Sequence, residues 1–568
     1  MMLSLVRKSS SQLSRQLRRQ ASFLSCAVLV RERQQERVPS YYLGAALALA
    51  TAGGCFCDDD DAADEKKRKP GKFRSDLPTV SLETVEAHRS EETGIYAVFD
   101  RGVYDLTSFV DAHPGGRKIL LAAGSSMAPF WDIFKAHHHP EVYEMLEALR
   151  IGNLSEEDAK KATPKTSSSS TGAYASEPLR SPALKANTME PFNGEPPTSL
   201  LSATYLTPRE IFFVRNHLPV PLLSDDEAKD ENYAIDFALD DHKEFSLTLA
   251  DLKKKFATRV VTATVQCAGN RRAEMNKAKS VKGLSWGATA IGNATWTGVY
   301  LSEVLKYYKV EDDDEKHVQF EGLDEGPDKE RYGASVDLTS ALDEKKEVLL
   351  AFEMNGEPLS RDHGFPLRVI VPGVVGARNV KYLKKITIAN EESPSFWQRR
   401  DYKGFPPNVD FSTPSALENF AGPSIQELPV TSAILEPSHG AVVPKKNLTI
   451  RGYAWAGGGR SIIRVDVSID GGYTWQQADL LEEDQPRHRA WAWTPWQLDL
   501  DLHTVNNETL HLVCKAIDDS YNSQPDTISP IWNMRGLLNN AWHRSTVYVK
   551  RDHETIDEQQ RRMKGLHD

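Results

Sequence analysis

Two clusters in this chain combine residue types and spacings suited to redox chemistry. The first is TVQCAGNRR, Thr264 to Arg272, where Cys267 follows an apolar run ending at Val265, and Ala268 and Gly269 leave little bulk beside the sulfur. Arg271 and Arg272 close the stretch. Neighbouring guanidinium groups favour thiolate over thiol, and a thiolate is what a nucleophile or a soft-metal ligand must be. The same nine residues also suit a buried structural cysteine. The second cluster is Asp111, Ala112, His113, Pro114, Gly115 and Gly116, followed by His137, His138 and His139. Proline and glycine fix a tight turn around the His113 imidazole. Two histidines from opposite walls of an apolar pocket are what a six-coordinate haem iron needs in order to carry electrons.

The elements that must position these residues form a multidomain α+β chain. At 568 residues it exceeds what one core holds, and a net charge of -11 argues against a general nucleic-acid binder. Five scattered cysteines make no disulfide framework. Residues 1–76 read as a leader. Met1 to Val30 carries Arg7, Lys8, Arg15, Arg18 and Arg19 and no acid, the composition of a mitochondrial presequence. The apolar YYLGAALALATAGG and the acidic Asp58 to Asp61 follow, as in a two-part signal for the intermembrane space. A retained membrane anchor is the competing reading of that stretch.

Residues 77–154 form a first compact unit of short strands and helices, with eleven acidic against six basic residues. Such a rim steers a basic redox partner. Residues 155–185, rich in Ser, Thr, Pro and Lys, read as a flexible linker. Residues 186–422 hold apolar strands that repeatedly end in loops bearing Arg, His, Asn or Lys, a pattern that points to an anionic ligand. Residues 423–550 read as an immunoglobulin-like β-sandwich: Ile463, Val465, Val467 and Ile469 alternate with Arg464, Asp466, Ser468 and Asp470, and Asp470-Gly471-Gly472 marks a hairpin. Cys514 falls on an apolar strand face and belongs to the core. The charged tail, 551–568, has no apolar periodicity.

The HPGG turn and the later histidines over 77–154 resemble cytochrome b5. The resemblance implies His113 and His137 as axial ligands of a haem b, because Phe134 stands ahead of the second ligand, with His138 as the alternative. Behind it, FFVRNHLPVP, QCAGNRR, RDHGFPLR, PGVVGAR and QRRDYKGF come in an order that closely resembles the animal mitochondrial sulfite oxidases, from 77 to 550. That resemblance implies a molybdenum-molybdopterin cofactor with Cys267 as the protein's ligand to molybdenum. It places Phe213, Val214, Arg215, Asn216, His217, Asp324, His363, Arg368, Val380 and Lys381 around the pterin and its phosphate, with Asn379 where the family pattern has a histidine. Arg215, Arg272, Trp286, Tyr402 and Arg535 then make the substrate pocket.

The implied reaction turns sulfite into sulfate by oxygen-atom transfer and sends electrons singly through the haem to cytochrome c. Sulfite is a small oxyanion, which several arginines can hold by charge-assisted hydrogen bonds. Tyr402 would couple proton to electron movement; as a residue type alone it equally suits a core tyrosine. The third unit is implied to form a homodimer, and any membrane contact is confined to the leader. Two other readings are a nitrate reductase, in which the haem unit comes after the molybdenum unit, and a non-catalytic haem electron carrier.

Overall fold

The structure, a computed structural model, describes residues 70–550 apart from 91, 115, 132, 163–171, 240–242, 327, 413–421 and 482–484. The basic leader, its apolar stretch and the charged tail lie outside the described residues. Among the described residues no helix is long and apolar enough to cross a membrane.

The first unit is built on a four-stranded sheet of Arg89–Ser90, Gly94–Phe99, Gly102–Asp105 and Arg150–Asn153, in that order. Ser81 caps the helix Leu82–Ala87 by accepting from Thr84 N, and Pro140 opens the helix Pro140–Ala148 where no amide is missed. The stretch KILLAAG winds as a 3-10 helix, Gly116–Ala122. Ile95, Ala97, Tyr104, Leu106 and Trp131 fill the core beneath. Composition assigns residues 70–76 to the leader, but they pack here. Asn153, fully buried, accepts from Arg74 N at 2.9 Å and donates to the carbonyls of Arg74 and Leu77, and Arg150 donates to Lys72 O at 2.6 Å. A polar, charged segment looks like leader until buried partners claim its backbone.

The linker also differs from a uniform coil. Glu156–Ala162 is a helix with acids in its first turn and lysines in its last, as the helix dipole prefers. The strand Lys185–Met189 begins at the linker's last residue. This strand joins Phe192–Glu195 and Val214–Arg215 in a three-stranded sheet.

Two five-stranded sheets carry the central unit. One has Arg259–Gln266 beside Ile291–Tyr300, Leu349–Met354 and Glu357–Pro358, with Arg368–Ile370 also on Leu349–Met354. The other orders Arg331–Asp337, His317–Glu325, Leu383–Ala389, Ala234–Leu239 and Lys243–Thr248, its single parallel pairing lying between Leu383–Ala389 and Ala234–Leu239. Near-continuous apolar runs such as LLAFEM form strands buried on both faces.

The third unit faces a four-stranded sheet, Thr431–Glu436, Asn447–Trp455, Thr494–Asp501 and Asp479–Leu480, against a five-stranded one that includes Ile462–Ser468, Thr509–Asp518 and His543–Val549. Cys514 is fully buried between them. The expected alternation of Ile463 with its neighbours fails at its first member. A bulge opposite Asp518 and Ile517 puts Ile462 in the core and leaves Ile463 41% exposed.

The haem-type unit is seated on the central one. Ile133, 4% exposed, packs with Leu184, Phe192, Leu200, Ile211 and Val214, flanked by Phe130 and Phe134, while Lys118 reaches the third unit to pair with Glu436 at 3.1 Å.

Candidate active site

Cys267 sits one residue past the end of strand Arg259–Gln266, 5% exposed, with its amide donating to Ala290 O and its Sγ accepting from Gly269 N at 3.4 Å. The two arginines after it part company, because Arg271 turns the chain with φ 63. Arg271 is fully buried, forks onto Glu274 at 2.8 and 2.6 Å and donates to Ser432 O of the sandwich. Arg272 donates from Nε to Arg535 O and from Nη1 to Leu284 O, each at 2.9 Å. Three glycines make its sleeve: a Cβ on Gly269, Gly283 or Gly536 would lie 2.5, 2.8 or 2.6 Å from Arg272 atoms. The glycine beside Cys267 therefore serves the arginine at least as much as the sulfur.

One cleft is lined by Cys267, Phe213, Arg215, His217, Asp324, His363, Arg368, Asn379, Lys381 and Tyr402. Arg215 ends its short strand, half-buried, and its Nη1 donates to two neutral acceptors, Asn193 Oδ1 at 3.0 Å and Asn216 O at 2.6 Å. Burial works against its charge, but Tyr402, Cys267 and Asp401 outweigh that and raise its pKa. His217 Nε2 lies 2.7 Å from Tyr402 Oη. Burial, then the charges of Arg215 and Lys381, hold His217 well below its ordinary pKa, so the neutral ring accepts and the tyrosine donates. Burial raises the Tyr402 hydroxyl, which stays protonated. Burial also brings His363 down to about 4 and Arg368 to about 10. It pushes Asp324 up and Lys381 down, two groups that share this wall.

A molybdopterin group fits these residues. Arg368 Nε and Asp324 Oδ1 are buried in the cleft with no hydrogen-bond partner in the protein. Each such group costs about 1–3 kcal/mol unless a bound polar molecule satisfies it. Lys381 and Arg368 bring cationic donors suited to a phosphate, and Cys267 brings the sulfur a soft metal prefers.

Several candidates stand outside that lining. The Val214 side chain faces the opposite way from Arg215, as strand alternation requires, and packs under the haem-type unit. Val380 is core, fully buried. Asn216 stands behind the wall, donating to Asp362 Oδ1 at 3.1 Å. Trp286 is fully buried edge-on to Phe213, 6.5 Å between centroids, and its Nε1 has no protein partner. Arg535 reaches back from the sandwich to pair with Asp401, next to Tyr402. Asn379 lines the cleft, but its amide is committed to Val371 N at 2.8 Å and Val375 O at 3.0 Å, so it braces the loop.

Sequence reasoning missed Tyr332 and Asp362. Tyr332 packs at a tilt against His217, 4.7 Å between centroids, and donates to Ala377 O from a strand with no flanking motif. Asp362 lies inside the RDHGFPLR motif beside His363, and it lines the cleft while its carboxylate pairs with Arg180.

In the first unit His113 and His137 face each other with ring centroids 6.3 Å apart. His137 Nδ1 donates to Trp131 O at 3.1 Å, which directs Nε2 away from that carbonyl and fixes the ring. Burial lowers both imidazoles and keeps them neutral, the state a metal ligand needs. His138 is exposed and lies 3.1 Å from Tyr143 Oη instead. The paired rings fit a haem iron between them.

The Cytochrome b5-like Heme/Steroid binding domain family matches residues 81–155, the Oxidoreductase molybdopterin binding domain family 217–397, and the Mo-co oxidoreductase dimerisation domain family 422–550. Over 470 residues the chain is 52% identical to the mitochondrial sulfite oxidase of Homo sapiens, covering 82% of this chain and 84% of that one. Over 474 residues it is 51% identical to the Mus musculus protein of the same name, covering 83% and 84%. The solved sulfane dehydrogenase SoxCD of Paracoccus pantotrophus superposes with TM-score 0.52 at 25% identity, covering 69% of this chain and 100% of that chain. With a free cysteine in a cationic cleft, two facing histidines in a b5-type unit and this degree of identity, the chain belongs to the sulfite oxidase family, with molybdopterin, cytochrome b5 and dimerisation domains.

Proposed function

We propose that sulfite is oxidised to sulfate in the Cys267 cleft and that its electrons leave singly through the first unit to cytochrome c. The observation that carries this reading is Arg215. It is a half-buried guanidinium in the cleft of Cys267 and Tyr402, and its hydrogen bonds to Asn193 and Asn216 leave the charge available to an anion. Arg272 and Arg535 flank it as further cations, while the Asp401 carboxylate on Arg535 moderates the field so that a dianionic product can leave.

Molybdenum held by Cys267 and the pterin supplies oxygen-atom transfer and storage of two electrons. The protein's own residues do the rest. Tyr402 keeps its proton and donates it in a hydrogen bond to the neutral His217 Nε2, which fixes the hydroxyl beside the place of the anion. Phe213, backed by the buried Trp286, walls one side with its ring and strengthens charge interactions inside. His113 and His137 hold the haem b, and the Ile133 seat sets that unit on the sheet carrying Arg215. Residues 77–154, 155–185, 186–422 and 423–550 serve as haem carrier, linker, catalytic unit and dimerisation unit of a homodimer. The leader composition and the mitochondrial relatives favour the intermembrane space.

The test is anaerobic addition of sulfite to the purified protein while the haem spectrum is followed. Reduction that vanishes in Cys267→Ser, with the oxidised haem spectrum retained, supports the reading. An unchanged spectrum in wild-type protein with full molybdenum would leave a haem carrier as the better description. A nitrate reductase arrangement is disfavoured because the haem unit, 81–155, precedes the molybdopterin domain.

A further inference from the structure

We propose that Arg180, on the stretch that leads out of the linker, is a positioning residue for the pterin-binding wall, so that the linker's last residues form part of the cofactor cage. The inference rests on the reading above that the cleft holds molybdopterin. Arg180 forks onto Asp362, Nε to Oδ2 at 2.8 Å and Nη2 to Oδ1 at 2.7 Å, and pairs with Glu177 as well. Its guanidinium carbon lies over Phe192, 4.2 Å from the ring centroid. The three charged side chains are only 11%, 8% and 9% exposed, so this is a built ionic cluster and not a surface pair.

What Asp362 touches gives the cluster its use. It belongs to the turn Arg361–His363, lines the cleft, accepts from Asn216 Nδ2 at 3.1 Å, and its carbonyl accepts from Lys381 Nζ at 2.8 Å. Lys381 also donates to Asn216 Oδ1. Glu177 meanwhile accepts from Val220 N at 2.9 Å, behind the His217 loop. Arg180 thus neutralises the carboxylate that would otherwise compete for the Lys381 ammonium, and ties His363, Lys381 and Asn216 into one frame. A bidentate fork needs arginine; lysine restores the charge without the geometry.

The test compares Arg180→Gln and Arg180→Lys with Arg101→Gln, which removes a cation paired to Glu156 at the far end of the linker. Full-length holoenzyme is dialysed at a temperature where the haem spectrum and circular dichroism are native, and molybdenum and pterin retained per haem are followed in time. We expect release about 10–100-fold faster in Arg180→Gln, intermediate in Arg180→Lys and unchanged in Arg101→Gln. The KM for sulfite of the loaded fraction should stay at the wild-type value, because the cluster lies behind the pterin wall. Wild-type retention in Arg180→Gln overturns the inference; so does wild-type retention in Arg180→Lys if the glutamine variant fails to fold. Wild-type protein that purifies with haem but never holds molybdenum overturns the cofactor reading itself, an outcome distinct from a null result in the variants.

Discussion

Replacing Gly536 by alanine tests the sleeve around Arg272. Gly536 has φ +59, and a Cβ there would lie 2.6 Å from Arg272 Cγ and 2.9 Å from Val281 Cγ2. The left-handed backbone costs an alanine about 1–2 kcal/mol. The overlap adds about 1–3 kcal/mol, because Arg272 cannot swing aside without breaking its bonds to the carbonyls of Arg535 and Leu284. Gly440 supplies the control: φ +78, with nothing within 4 Å of its Cβ. Gly440→Ala should lose the backbone part alone and keep its steady-state kinetics. Gly536→Ala should melt several degrees lower than Gly440→Ala and lose about tenfold or more in kcat/KM for sulfite, the value of one charged hydrogen bond. Molybdenum content measured alongside separates a displaced arginine from a lost cofactor. If Gly536→Ala matches Gly440→Ala in kcat/KM at full molybdenum loading, the sleeve does not set the position of Arg272 for substrate.

Glu274→Ala leaves Arg271 buried without its carboxylate and should destabilise the fold by about 3 kcal/mol in denaturant titration. Burial opposes the charge of Glu274, but Arg271 outweighs it and lowers the pKa. Its contribution is therefore present above the ordinary glutamate value and fades as pH falls through the lower folded value, so the variant's deficit should shrink in acid. Ile133→Asp puts a charge into the apolar seat of the haem unit, a cost of about 2 kcal/mol or more. Flash-induced electron transfer between the cofactors should slow by at least about tenfold at unchanged haem and molybdenum, and an unaltered rate would show that the seat plays no part. Burial pushes the Cys514 thiol up to about 12. Iodoacetamide at pH 8 should leave it unmodified until the protein is unfolded, as peptide mapping will show; rapid labelling of the native protein would contradict its packing in the sandwich core.

The strands were legible wherever apolar residues ran on or alternated, and so were the loops in which Arg215, His217, Cys267 and Lys381 stand, because short motifs carry both the turn and the chemistry. Three kinds of feature were not. The bulge at Ile463 changes register without changing composition, so alternation predicts the wrong inward residue. Asn379 reads as a cofactor contact standing where the family pattern has a histidine, and only the folded loop shows Val371 and Val375 using up its amide. Tyr332 and Arg180 lie far from any motif in sequence, and their places beside His217 and Asp362 depend on long-range pairing that local patterns do not encode.

That long-range dependence bears on why the third unit belongs to the catalytic machinery as well as to a dimer. Trp491 O and Trp493 N bracket Thr264, accepting from its amide at 3.0 Å and donating to its hydroxyl at 2.8 Å, on the strand that delivers Cys267. Leu538 N donates to Ala268 O at 2.8 Å, one residue past the thiol. Arg535 O receives Arg272, and the Arg535 side chain holds Asp401 beside Tyr402. Thr264, Ala268, Arg271 and Arg272 are thus each held by a hydrogen bond to 430–550, and the bidentate Arg271–Glu274 pair anchors the loop on Ser432. A loop so fixed loses little entropy when an anion binds, which is how a small dianion with few atoms to grip can be recognised. Cutting the chain ahead of Ser424 should therefore abolish the substrate cleft and not merely the dimer, and a monomerising surface substitution that leaves these contacts intact should keep sulfite turnover.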